Sequence, residues 1–470
     1  MIKTLTSAYA VGVMSRILAQ LLTFVSVMVA SRYIDLASFG AFILAWTVIV
    51  VINGLIYTGF YQALLRSNEP DHDSSSYFWL MGVVALGGAL ICLVLGVATG
   101  GWQTETGTSF LLLSPMPFLS FPTAWNQAHL VAQQRIRAAS IYTLVAQTAV
   151  VTGTWVWLVQ GYGILAMIAG YYVGAVVGLV ITTALVRRVP RLELRRQALS
   201  DSRKSVPNLW GTSLLGMFSN YGADLILGAF LSPGAVGAYR GGSRITQTVG
   251  DFVLQPLVML SWSRFSRAER EGNPDVMRIS WIDNMAVAAA LMWPMMLSLA
   301  MLAESMVSVI FEDTWLPAAG AVVILSASRA IRFFSSLLEP SLLCTGHNAW
   351  QMQIRLFGAA LFLVTLLSFG RLSVELAAIA HLVTSAGIAV LAVWACARAL
   401  KLSVSDLRQV VLPGLVIAAG CVGVVAALGP VRASMGVAPG LFLTIGALAV
   451  YWGAAMAVCL RAGWLRIPQP

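Results

Sequence analysis

Apolar runs long enough to cross a bilayer recur along the whole chain, each ended by a short polar break, and that recurrence decides the fold class. They fall at 8–31, 36–65, 77–99, 109–132, 138–159, 162–186, 208–231, 235–263, 282–303, 317–343, 350–369, 373–397, 409–429 and 437–460. About 20 residues of helix cover the hydrocarbon core of a membrane. Lipid offers backbone N–H and C=O groups no partner, so such runs are helices. A membrane barrel needs alternating strands of about ten residues, and these runs are too long and too uniformly apolar. Only 10% of the 470 residues are charged, against about 25% in soluble domains. The chain is read as an all-α integral membrane protein with about fourteen transmembrane helices.

Basic residues orient such a chain. With the N-terminus in the cytoplasm, that side holds Lys3, Arg66, Arg135, Arg137, Arg187, Arg188, Arg191, Arg195, Arg196, Arg203, Lys204, Arg264, Arg267, Arg270, Arg278, Arg398, Lys401, Arg408, Arg461 and Arg466. The other side holds Arg32, Arg371 and Arg432. Twenty against three supports an even number of spans and two cytoplasmic termini. The net charge of +10 therefore reflects topology; no aromatic-basic module of a nucleic-acid binder accompanies it. The first apolar run lacks a small-residue cleavage site and is interrupted by Arg16, so it is read as a retained helix. The five cysteines lie within apolar runs without CxxC or Cys/His spacing, and there is no GxxxxGK[ST] loop. Neither a metal nor a cofactor is expected.

The chain reads as two related halves. SFGAFILAW (Ser38 to Trp46) follows a break after the first helix, and AVGAYRGGS (Ala235 to Ser243) follows the break Ser232-Pro233-Gly234 after the seventh. HLVAQQRIRAASIY (His129 to Tyr142) and SLLCTGHNAWQMQIRL (Ser341 to Leu356) fall at corresponding later junctions. Both separations are about 200 residues, which suits parallel six-helix repeats. The domains are then an N-terminal lobe at 1–187, a basic cytoplasmic linker at 188–207, a second lobe at 208–400 and two added helices at 401–470. The outer loops are short, the longest running from Glu304 to Leu316. Tryptophans near span ends read as interfacial anchors, and Gly54, Gly59, Pro115, Pro117, Pro122, Pro256, Pro294 and Pro340 as candidate hinges.

The chemistry must lie in the few charges inside the spans. Arg16 sits in the first. The seventh carries Asp224 after Asn220. In the eighth, Arg240, Arg244, Gln247 and Asp251 recur at four, three and four, one helix face. In the tenth, Arg329, Arg332, Ser336 and Glu339 recur at three, four and three. An Arg at a helix centre costs roughly 2.5–3.5 kcal/mol on insertion scales. Such groups face a bundle interior or a hydrated cavity. A planar, always-protonated guanidinium suits phosphate through bidentate hydrogen bonds. Arg16, Arg240, Arg244, Arg329 and Arg332 are the candidate anion-binding residues; Asp224, Asp251 and Glu339 are candidate proton or cation sites. Structural readings stand beside these: Asp224 pairing with Arg240, Arg332 with Glu339, and Arg240 reaching the headgroups. Arg355 reads as interfacial. Asn53, Tyr57, Tyr61 and Gln62 give the second helix a polar, aromatic face that could contact sugar or simply pack. His129 and His381 read as packed or interfacial residues.

GVMSRILAQLLTFVSVMVASRYIDLASFGAFIL (Gly12 to Leu44) and GADLILGAFLSPGAVGAYRGGSRI (Gly222 to Ile245) resemble polysaccharide-type exporters of the multidrug/oligosaccharidyl-lipid/polysaccharide (MOP) superfamily, the Wzx- and MurJ-like flippases. The resemblance covers the first twelve spans, and the last two resemble those of fourteen-helix members. It implies two lobes around a cationic cavity, alternating access, and a lipid tail left in the bilayer. Arg16, in its Ser-Arg-Ile-Leu setting, matches an arginine that lines that cavity in MurJ-like proteins. The expected function is translocation of a polyprenyl-diphosphate-linked oligosaccharide across the bacterial inner membrane, with the lipid-linked sugar, membrane lipids and other polysaccharide assembly proteins as partners. The alternatives are a drug/cation antiporter of the same fold, which calls for acids in the cavity, and a membrane-embedded sugar polymerase or acyltransferase. A polymerase of that kind is expected to need a substantial outer loop.

Overall fold

The computed structural model describes residues 15, 18–66 and 70–466, and among these the regular structure is entirely helical. Ten helices are long and apolar enough to cross a membrane, from Leu36–Arg66 to Val437–Arg461, and Leu18–Ala30 is a shorter apolar helix. The chain is a multi-pass membrane protein, and every expected span coincides with helix where it is described. Side chains on the outer faces are apolar: Val83, Val94 and Val97 are 66–71% exposed and Val450 is 75% exposed. Such surfaces match lipid rather than water.

The chain divides into two compact units, Met1–Arg240 and Gly241–Pro470. This division lies inside a continuous helix rather than at the basic linker. The first unit holds α1 (Leu18–Ala30), α2 (Leu36–Thr58), α3 (Phe60–Arg66), α4 (Pro70–Ala98), α5 (Glu105–Leu113), α6 (Met116–Ala132), α7 (Ile136–Val159), α8 (Ile164–Val186), α9 (Arg196–Phe230) and the start of α10 (Pro233–Arg270). The second holds the rest of α10, then α11 (Pro274–Met301), α12 (Ala303–Phe311), α13 (Ala319–Arg332), α14 (Leu338–Cys344), α15 (Asn348–Thr365), α16 (Val374–Ala399), α17 (Val404–Ala427), α18 (Gly429–Ser434) and α19 (Val437–Arg461).

Several single expected spans are two helices, each broken for a local reason. The second breaks at Gly59, where the α9 indole of Trp210 approaches so closely that a Cβ would lie 2.3 Å from its Nε1. That nitrogen donates to the Leu55 carbonyl at 2.8 Å. The fourth breaks between α5 and α6 at Ser114-Pro115. The tenth leaves the α-helix at Phe333–Ser335, a 3-10 turn that precedes Pro340. Pro340 has no N–H and crowds the preceding turn. The α11 indole of Trp293 donates to the Ala330 carbonyl at 2.7 Å, which satisfies backbone at the break. Trp125 and Trp452 likewise donate to main-chain carbonyls, and Trp281 and Trp315 are fully buried. These six indoles are engaged in the helix packing, four as donors to main-chain carbonyls and two as fully buried rings.

The basic linker is half helix. Residues 188–195 are irregular, but α9 begins at Arg196 and carries Pro207 inside it. The irregular part is tied to α4: Arg191 and Arg195 donate their N–H groups to Ser75 and Ser76 at 3.0 Å each. Trp79 donates to the Arg191 carbonyl. The stretch expected as the longest outer loop is also ordered, as α12 and a 3-10 turn Asp313–Ala318.

At the start of α10, Ser232 accepts from the Ala235 N–H and Pro233 fills the first helical position. This end of α10 crosses the start of α2 backbone to backbone. A Cβ on Gly40 would lie 1.7 Å from the Pro233 carbonyl oxygen, and one on Gly237 would lie 2.2 Å from that of Leu36. Glycine is required on both sides of the crossing. Aligning SFGAF with AVGAY pairs Gly40 with Gly237 and Leu36 with Pro233, so the contact is reciprocal, as in an isologous interface.

Candidate functional site

Arg16 and its neighbour Ile17 lie outside the described residues. The remaining intramembrane charges fall into two groups, one in each unit.

In the first unit, α9 and α10 bring Asp224 and Arg240 into an ion pair, with the carboxylate fully buried and the Arg240 side chain 14% exposed. Asp224 lies six residues before the end of α9 and Arg240 seven after the start of α10. Both therefore sit about 10 Å from the hairpin turn, at one depth. Thr47 on α2 donates to the same carboxylate oxygen at 3.1 Å. The other oxygen, Oδ1, is buried without a hydrogen-bond partner among the described residues. The guanidinium also stacks on Tyr221, 4.9 Å from the ring centroid. Asn220, one turn before Asp224, is exposed and bonds back to the Gly216 carbonyl.

On the same continuous α10, Arg244 is half-buried and makes no ion pair or hydrogen bond among the described residues. It lies about 16 Å along α10 from the helix start. Helical spacing puts it on the face of Arg240, Gln247 and Asp251.

In the second unit, Arg329 of α13 donates to Asp251 of α10 at 3.2 Å, with side chains 21% and 16% exposed. Arg332 is exposed. The proposed face of Arg329, Arg332, Ser336 and Glu339 does not continue past α13, because the 3-10 turn at Phe333–Ser335 resets the helical register. Glu339 pairs instead with Arg355 at 2.6 Å, and both are substantially exposed. Glu339 is thus a poor candidate for a buried coupling site.

Asn53, Tyr57, Tyr61 and Gln62 straddle the break between α2 and α3 and are all half-buried. The Tyr57 and Tyr61 rings stand 5.5 Å apart, and the buried Asn53 Oδ1 has no partner. His129 bonds Ser74 at 2.7 Å and packs edge-on against Trp125; His381 stacks on Phe362.

The second unit also holds an apolar groove of about 220 Å³, lined by Pro294, Leu299 and Leu302 near one wall and by Ile445, Leu448 and Trp452 of α19 at the other. Its walls include one of the two added helices. Neither this groove nor Thr47 was legible from sequence. Thr47 carries no signal beyond being polar in an apolar run, and the groove depends on which helices become neighbours.

The sequence matches a family model described as "Polysaccharide biosynthesis protein" over residues 9–320. The succinoglycan biosynthesis transport protein ExoT of Rhizobium meliloti (strain 1021) is 23% identical over 361 residues, covering 75% of this chain and 72% of ExoT. Among solved structures, the lipid II flippase MurJ in an inward closed conformation superposes with a TM-score of 0.78 at 12% identity, covering 96% of this chain and 98% of that one. An inward-facing multidrug resistance MATE family transporter of the MOP superfamily gives 0.60 at 15% identity, covering 81% and 95%. At those identities the two structures speak to fold.

Proposed function

We propose, on the premise that this chain belongs to the polysaccharide biosynthesis protein family and has the fold of the MOP exporters, that it flips a polyprenyl-diphosphate-linked oligosaccharide across the bacterial inner membrane. Both termini face the cytoplasm in this reading, and the cargo is a repeat unit of an exopolysaccharide, capsule or O-antigen. The observation that carries it is Arg244, a half-buried guanidinium that makes no ion pair or hydrogen bond among the described residues. A buried charge without a partner is costly, and a diphosphate supplies the missing anion through bidentate, charge-assisted hydrogen bonds.

Arg16 joins Arg244 at the headgroup by its family resemblance. Arg329 is neutralised by Asp251, so it contacts the cargo only by exchanging that loose carboxylate for phosphate. Arg240, held by Asp224, acts as a positioning residue, and Arg332 as a contact near the exposed edge. Asn53, Tyr57, Tyr61 and Gln62 offer hydrogen bonds and ring faces to sugar. The unpartnered Oδ1 of Asp224 is the best-placed atom for a coupling proton or cation, with Asp251 second. The apolar groove beside α19 suits a polyprenyl tail.

The test is a reconstituted flipping assay of a lipid-linked oligosaccharide with Arg16→Ala and Arg244→Ala. Loss of flipping in both, with folding intact, is expected. Normal flipping in both rejects the cationic mechanism, and export of an organic cation by the wild type favours the antiporter reading.

A further inference from the structure

In the second unit, the beginnings of α11 and α17 and the segment just after α19 enclose a cleft of about 660 Å³. It is separate from the charges described above. We propose that this cleft binds the phosphate headgroup of an anionic membrane lipid, with Arg408 and Arg466 as its cationic contacts.

Of the three arginines lining the cleft, Arg278 is already satisfied. Its Nη2 and Nε donate to one oxygen of Asp406 at 2.6 and 3.1 Å. Asp406 also accepts from the Ser403 N–H at 2.7 Å, closing a capping box at the start of α17. That carboxylate is committed to structure. Arg408 and Arg466 are exposed and make no ion pair or hydrogen bond among the described residues. The remaining acid is Asp283, half-buried and within electrostatic reach of Arg264 and Arg466. The open side of the cleft is therefore left with a cationic excess.

Apart from Ser405 and Gln409, the rest of the wall is apolar, formed chiefly by Ile279, Ile282, Leu412, Pro413 and the half-exposed indole of Trp464. A free phosphate ion gains nothing from such a wall, whereas a glycerophospholipid meets arginine with its headgroup and hydrocarbon with its chains. The depth agrees. Arg278 and Arg408 each lie in the first two turns of their helices, which places them at headgroup level. An indole beside them is the usual residue of that layer. Neighbouring Arg398, Lys401 and Arg461 mark this end as cytoplasmic by the charge rule, so the lipid belongs to the inner leaflet. The proposal does not depend on what the protein transports.

The test uses the full chain purified in detergent and titrated with phosphatidylglycerol, phosphatidylcholine or inorganic phosphate, with bound lipid counted by native mass spectrometry. Wild type is expected to retain phosphatidylglycerol in preference to phosphatidylcholine, without displacement by inorganic phosphate. Arg408→Ala with Arg466→Ala is expected to weaken retention about thirtyfold, from roughly fivefold per near-surface basic side chain. Arg408→Ala alone, an exposed position, gives about fivefold and serves if the double variant fails to fold. Equal retention of the two lipids, or unchanged retention in a folded Arg408→Ala protein, overturns the site. Displacement by inorganic phosphate overturns the lipid in favour of a soluble anion.

Discussion

The two intramembrane ion pairs use the same residue types and differ in how they are held. Asp224 and Arg240 meet with the carboxylate wholly out of solvent, a threonine donating to the same carboxylate oxygen and an aromatic ring under the guanidinium. Arg329 and Asp251 meet at 3.2 Å, and both remain partly open. A carboxylate shut away from solvent leaves its arginine no room to take a ligand's phosphate instead, so that pair orients helices. A pair with an open flank can trade its carboxylate for a ligand's phosphate. Residue type read alone makes the two alike; enclosure separates them.

The contrast breaks first at Asp224. Asp224→Ala removes the buried carboxylate that pairs with Arg240 and is expected to cost about 3–5 kcal/mol of stability, read as thermal unfolding in detergent. Replacing both residues with apolar ones of similar size should return most of that loss. A single variant as stable as wild type would remove the distinction between the pairs. Gly40→Val is next, at about 1–3 kcal/mol or more, because the added carbons meet main chain rather than a pliable side chain. Arg244→Ala sharpens the functional side: flipping should fall by about one to two orders of magnitude, the worth of a charge-assisted contact, with unfolding little changed. Arg329→Ala should lower flipping less and destabilise less than Asp224→Ala, since Asp251 keeps access to water. The smallest effect belongs to Arg355→Ala, at about 0–1 kcal/mol, because its pair with Glu339 is exposed.

Much of this was readable from one chain. Uniform apolar runs report their own helices because lipid removes every alternative, and the charge count and the SFGAF and AVGAY segments follow from composition and order. The pairing of Asp224 with Arg240 was anticipated as one of two readings, since a short hairpin puts both at one depth. Spacing failed at Glu339, because a periodicity argument assumes an unbroken helix and cannot see a 3-10 turn ahead of Pro340. Nor could the arginine-rich segment 188–207, read as a basic cytoplasmic linker, disclose what its backbone binds. Ser75, Ser76 and Trp79, more than a hundred residues away, capture that segment's backbone. Contacts of that range leave no local mark, and the cleft at the start of α17 belongs to the same class.

The crossing of α2 over α10 has a further consequence. Gly40 and Gly237 stand at the same register of two similar segments, and each faces the main chain of the other segment. A methyl group added at either glycine collides with the main chain of the other segment, so neither helix end can change side chain at this point without moving its partner.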